Sequence, residues 1–209
     1  AFYSGPGMPA AVRRSASGPR EGRSQPVALA ALTATVVVRS IVQIGMATFL
    51  PFLIQQRFPR DAHESLASIS VSAFLLASAV AGPFGGHLAD RFGRRNLILW
   101  TFILAPAPLF VALQQPGPAL IPLLAFGAFI LMLPHPGNVV MAQEFMPRSA
   151  GIAASLITGL AWGLAQILVL PLGKFADETS VSTALTGLSF IPLLGVLLVF
   201  LIPGETKRK

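Results

Sequence analysis

Six apolar runs, each about 20 residues long, recur along the chain, and that is the length a helix needs to cross a hydrocarbon core of about 30 Å. Hydrocarbon offers no hydrogen-bond partner, so a spanning segment outside a closed barrel must satisfy its own backbone as a helix. The expected fold is therefore all-α and integral to a membrane. Its six transmembrane helices are expected at Val27 to Ile54, Leu66 to Gly85, Leu97 to Leu113, Leu120 to about Met141, Ile152 to Leu172 and Val181 to Ile202. Composition agrees, with only 11% of the 209 residues charged against about 25% in a soluble domain. Pro106, Pro108, Pro122, Pro134 and Pro192 fall inside the third, fourth and sixth spans, where packed neighbours tolerate kinks.

Charge sets the expected topology. Six spans return the chain to the side it started from, and 11 of the 15 Lys and Arg residues then fall on that side: Arg13, Arg14, Arg20, Arg23, Arg91, Arg94, Arg95, Arg148, Lys207, Arg208 and Lys209. By the positive-inside rule that side is the cytoplasm, which places both termini there; the membrane expected is the cell's inner (plasma) membrane. The net charge of +7 is thereby accounted for without nucleic acid. Residues 1–26 differ from the rest: Gly, Pro, Ser and Arg fill 16 of those 26 positions. They read as a disordered basic tail, or as a linker cut from a longer chain. Residues 27–203 form the expected bundle and 204–209 a second basic tail.

Several chemistries are not expected. There is no cysteine, which removes disulfides, thiolate metal sites and a cysteine nucleophile. His63, His87 and His135 are too scattered for a metal site, and there is no phosphate-binding loop or serine nucleophile motif. Neither enzyme activity nor a cofactor is expected. The partners implied are a small-molecule substrate and the lipid bilayer.

An internal repeat organises the spans. Gly86-His87-Leu88-Ala89-Asp90 follows the second span and Gly173-Lys174-Phe175-Ala176-Asp177 the fifth, 87 residues later, each after an apolar stretch containing proline (Pro83, Pro171). Two related three-span units are implied. Three is odd, so the second copy must be inverted across the membrane, an internal symmetry common among secondary transporters.

The densest motif is Gly86-x-x-x-Asp90-Arg91-x-Gly93-Arg94-Arg95, read as a tight cytoplasmic loop between two spans. Glycines allow a close turn, and an aspartate there can pair with an arginine or face the positive N-terminus of the next helix. This motif resembles the signature loop of the major facilitator superfamily at every defining position. Glu144-Phe145-Met146-Pro147-Arg148 and Pro203-Gly204-Glu205-Thr206-Lys207 resemble that family's other cytoplasmic charge motifs. The resemblance implies a network of Asp90, Arg91 or Arg94 with Glu144, Arg148 and Glu205 that holds the cytoplasmic side shut and releases on rearrangement. Solvated helix-end charge is the alternative for Glu205. The stretches His135-Pro136-x-x-Val139-Val140-Met141-Ala142-Gln143-Glu144, Gly151-x-Ala153-Ala154-Ser155-Leu156, Gly159-Leu160-Ala161-Trp162-Gly163 and Gly173-x-x-Ala176-Asp177 are similar to the C-terminal half of fosmidomycin-resistance type efflux transporters. The implied protein is a proton-coupled efflux carrier for a small anionic drug, with this chain as one half of a twelve-helix transporter. It would be completed by an N-terminal six-helix half or by a second copy. A carrier for another solute and a non-transporting six-span module are the rival readings.

Intramembrane polar residues mark the candidate substrate path. An arginine at mid-span costs about 2.5 to 3.5 kcal/mol on insertion scales, so Arg39 should face the bundle or a wet cavity. Thr35, Arg39 and Gln43 are four apart and form one stripe on one helix face. Thr158, Trp162 and Gln166 repeat that spacing in the fifth span, and His135 and Asn138 lie three apart in the fourth. His135 is the candidate proton carrier, being the histidine nearest membrane depth. Each residue has a structural alternative: Arg39 as a pin to neighbouring carbonyls, His135 as a satisfied imidazole at a kink, Trp162 as packing. Gly151, Ala154, Ser155, Gly159 and Gly163 read most simply as a close helix-packing face.

Overall fold

The computed structural model describes residues 25–203, apart from the side chains of residues 60–63. The expected disordered segment, the terminal basic tail and Glu205 lie outside the described residues. Six helices are long and apolar enough to cross a membrane, and no strand is present among the described residues. They are α1 (Pro26–Arg57), α2 (Arg60–Phe92), α3 (Arg94–Gln114), α4 (Leu120–Phe145), α5 (Pro147–Glu178) and α6 (Val181–Val199).

Most helices overrun the spans read from hydropathy. The 32 residues of α1 extend about 48 Å at 1.5 Å per residue, well beyond the hydrocarbon. The reading of Gly86–Arg95 as a tight loop is corrected in the same way. Helix α2 continues through Gly86 and Asp90 to Phe92, and α3 starts at Arg94. Only Gly93 separates them. Its φ of 86° lies in the left-handed region, which glycine enters without steric cost. Gly173–Asp177, read as following the fifth span, is likewise the last part of α5.

Proline acts unevenly. Pro51, Pro83, Pro171 and Pro192 are carried inside continuous helix. The ladder breaks at Ala105, just before Pro106, and at Leu133–Pro134 in the middle of α4. Pro134 and Pro136 have no N–H to donate, so the i→i−4 bonds of both residues flanking His135 are lost where His135 begins the second half of α4. Helix α5 contains a π-turn at Leu156–Leu160.

The packing obeys the repeat. Exchanging α1 with α4, α2 with α5 and α3 with α6 maps the contacts onto one another: α2 packs on α4 as α5 packs on α1, and α6 packs on α1 as α3 packs on α4. The inverted arrangement also shows at the helix ends. Arg95, at the start of α3, donates to the Val199 carbonyl at the end of α6 (3.2 Å). At the opposite end of the bundle, Arg57 donates to the Leu113 carbonyl at the end of α3 and to Ser182 Oγ of α6 (2.6 Å). Each of these two helices thus has a C-terminal carbonyl met by an arginine, a favourable end for a cation.

Two apolar cores fill the bundle. One includes Met46, Leu50, Phe74, Leu109, Leu124 and Leu185; the other includes Leu32, Val36, Ile98, Phe102, Phe145 and Val199. The first takes α1 from Val42 onward and the second takes α1 up to Val36, so Arg39 and Ser40 lie at the seam. On α4 the seam holds His135 and Asn138. Helices α2 and α5 are the least buried, 22% and 28% over their apolar windows, and therefore lie at the edge of the unit. The small-residue stripe of α5 does not pack within this chain: a Cβ at Gly151, Gly159 or Gly163 would meet nothing within 4 Å. Gly85 is the opposite case, because a Cβ there would overlap the backbone carbonyl of Leu133. Backbone cannot retreat as a side-chain tip can. Gly85→Ala is expected to cost at least about 2 kcal/mol through overpacking, whereas Gly86→Ala, which faces open space, should leave the melting temperature in detergent unchanged or raise it slightly.

Candidate functional site

Arg39 is fully buried. Its Nη1 donates to Met132 Sδ at 3.0 Å and its Nη2 to Ser40 Oγ at 3.3 Å, while Nε has no partner. Among the described residues no carboxylate pairs with it. A guanidinium offers five donors, so this one is under-satisfied, with a weak thioether acceptor as its main contact. Charge buried in that state is costly without an ion of opposite sign.

Polar groups of α1 and α4 collect beside it. Gln43, one turn along α1, is buried and leaves Oε1 unpartnered; His135 leaves Nδ1 and buried Asn138 leaves Oδ1 unpartnered. Gln43, Met132 and His135 line a cavity of about 250 Å³ together with Leu75, Ser78, Ala79 and Gly82 of α2. That volume is slightly under the range of about 300–1,000 Å³ usual for drug-sized ligands, so the space suits a small solute. Of these residues Gln43 and His135 stand at the cavity wall with a polar atom unpartnered, and such an atom calls for an explanation such as a ligand.

The remaining expected path residues divide. Thr35 is buried on the same stripe, but its hydroxyl donates to the Ala31 carbonyl of its own helix (2.8 Å). Trp162 is half-buried in a small cluster with Ile41, Ile44, Phe49 and Val169, a packing environment. Gln166 is exposed on α5 and Thr158 donates to Ala154 (2.9 Å), so that triad does not converge on the cavity. Met132, Ser40, Ser78 and Gly82 were not singled out as site residues by the sequence reading. Ser78 and Gly82, one helical turn apart, carry a spacing signal; a methionine three residues before His135 carries none.

At the end of the bundle where α2 meets α3, Arg94 pairs with Glu144 of α4 at 2.6 Å. Arg91 stacks over the Phe92 ring at 5.6 Å, and Arg95 approaches Phe200 at 6.0 Å as well as bonding Val199. Asp90 and Arg148 are exposed and make no ion pair among the described residues, and Gly86 faces open space. Arg94–Glu144 is thus the part of the expected charge network that the structure brings together. It ties α3 to the end of α4, ten residues from the break beside the cavity.

The family model of the Major Facilitator Superfamily matches residues 24–209, and the chain belongs to that family as a multi-pass membrane protein. It is 37% identical over 140 residues to a Bacillus subtilis (strain 168) protein described as an uncharacterized MFS-type transporter, covering 66% of this chain and 34% of that one. It is 28% identical over 186 residues to the fosmidomycin resistance protein of Escherichia coli (strain K12), covering 87% and 44%. It is 28% identical over 114 residues to a probable nitrate/nitrite antiporter of Thermus thermophilus, covering 52% and 21%. The chain therefore spans less than half the length of these relatives.

Glu144 is 49% exposed, and solvent leaves such a pair worth less than about 1 kcal/mol. Glu144→Gln should accordingly lower the melting temperature of the protein by only a degree or two. A larger drop would show that the pair holds the helices together rather than latching one end.

Proposed function

We propose that this chain is the C-terminal six-helix half of a secondary carrier that exports a small anionic solute of the fosmidomycin class. The single observation that carries this reading is the buried, carboxylate-free guanidinium of Arg39 beside a cavity lined by Gln43 and His135. A site built this way favours an anion and rejects a cation, since entry of an anion neutralises a charge already buried. Two relatives are named for a phosphonate antibiotic and for nitrate and nitrite, which supports an anion as the cargo. Export rests on the fosmidomycin resistance relative.

In this reading the partner half, supplied by the rest of a longer chain or by a second copy, closes the cavity on the side that α2 and α5 leave open. Transport proceeds by rocking of the halves about the midplane site. The Arg94–Glu144 pair latches the basic end, which the charge distribution assigns to the cytoplasm of a plasma membrane. His135 takes up and releases the coupling proton at the cavity wall, with Gln43 and Asn138 orienting the solute.

Drug accumulation in cells expressing the full-length protein tests both assignments. Arg39→Ala should abolish export, and Arg39→Lys should retain a fraction of it, because the charge stays while the planar two-pronged donor is lost. Normal export by Arg39→Ala would remove Arg39 from the site. His135→Gln should leave drug binding within a few-fold of the parent and uncouple export from the proton gradient; unchanged proton-dependent efflux would exclude His135 as the carrier.

A further inference from the structure

We infer that Met132 is a placeholder for the substrate: it holds the Arg39 guanidinium while the cavity is empty and gives it up when an anion enters. This rests on the placing of Arg39 in the substrate site. Three observations carry it. The Nη1 to Sδ contact of 3.0 Å joins α1 to α4 across the seam between the two apolar cores, and it is the main contact Arg39 makes outside its own helix. Met132 lines the cavity whereas the fully buried Arg39 does not, so Met132 stands between the cavity and the guanidinium it holds. And Met132 is the last residue of the first half of α4, adjoining the Leu133–Pro134 break in its hydrogen-bond ladder.

The residue type fits the task. A thioether is a weak acceptor on a chain of three rotatable bonds, enough to orient a guanidinium but not to compete with an anion for it. A carboxylate or amide at 132 would satisfy Arg39 internally, and the site would lose its demand for a ligand. A leucine would fill the space and leave Nη1 without an acceptor. Position 132 therefore sets how avidly the site seeks an anion, acting through Arg39 as a positioning residue.

The inference predicts that stability of the empty protein and affinity for an anion move in opposite directions. The test uses purified full-length protein carrying Met132→Leu, Met132→Gln or Met132→Glu. It reads the melting temperature without ligand and the dissociation constant for fosmidomycin, with inorganic phosphate as a second probe. Met132→Leu should bind the probes about two- to five-fold more tightly while melting lower. Met132→Gln should bind more weakly while melting at the parent temperature or above. Met132→Glu should weaken binding by about 50-fold or more, within the coupling range of contacting residues, again without a lower melting temperature. If the glutamate variant does not accumulate, the leucine and glutamine variants carry the comparison.

A purely packing role predicts otherwise: melting temperature and affinity would fall together in the polar variants and stay unchanged in Met132→Leu, and that result overturns the inference. Failure of the underlying site assignment is separately recognisable. Parent protein that binds neither probe, or Arg39→Gln protein that binds as tightly as the parent, removes Arg39 from the site before any Met132 variant is considered.

Discussion

A helix that crosses hydrocarbon must close its own hydrogen bonds, and every irregularity of backbone has to be hidden against a neighbour. In this bundle the irregularity that matters is the break at Leu133–Pro134, and what hides it is Gly85 of α2, whose missing side chain lets the Leu133 carbonyl lie against it. That contact fixes the approach of α2 to α4. Met132 and His135, on either side of that break, both line the cavity.

The repeat gives the unit its symmetry, and the site departs from it. Helices α1 and α4 are equivalent under the exchange that relates the two triplets, and both carry their polar residues at the seam between the apolar cores. Their chemistry differs: α1 presents a permanent cation and an amide, α4 an imidazole, an amide and a thioether. The equivalent edge helices differ too. On α2, Ser78 and Gly82 line the cavity, whereas α5 directs Thr158 and Gln166 outward. A pseudo-symmetric scaffold thus holds a one-sided candidate site, with Arg39 on one triplet and His135 on the other.

The number and position of the spans were legible because burial in lipid leaves a compositional mark that survives without any knowledge of neighbours. Helix ends were not, since hydropathy records where the hydrocarbon stops and not where the hydrogen-bond ladder stops; Gly86–Phe92 is polar enough to resemble a loop and regular enough to be helix. The Thr35, Arg39 and Gln43 stripe was readable from four-residue spacing. The same spacing in Thr158, Trp162 and Gln166 misled, because periodicity defines a face and only the packed neighbours decide what that face meets. Met132 was invisible for a chemical reason: its sulfur counts as apolar in any pattern, and its role appears only once a guanidinium is placed 3.0 Å away.

The single residue between α2 and α3 has a mechanical meaning. One residue supplies two soft torsions, and at Gly93 φ lies in a region that other residues avoid. The two helices therefore share one pivot, with no slack to absorb a change of tilt. Arg94 is the first residue past that pivot and is tethered to Glu144, so the start of α3 is anchored to α4 at the point where α2 ends. The turn from one spanning helix to the next and the ion pair that pins it to a third thus occupy two adjacent residues, Gly93 and Arg94.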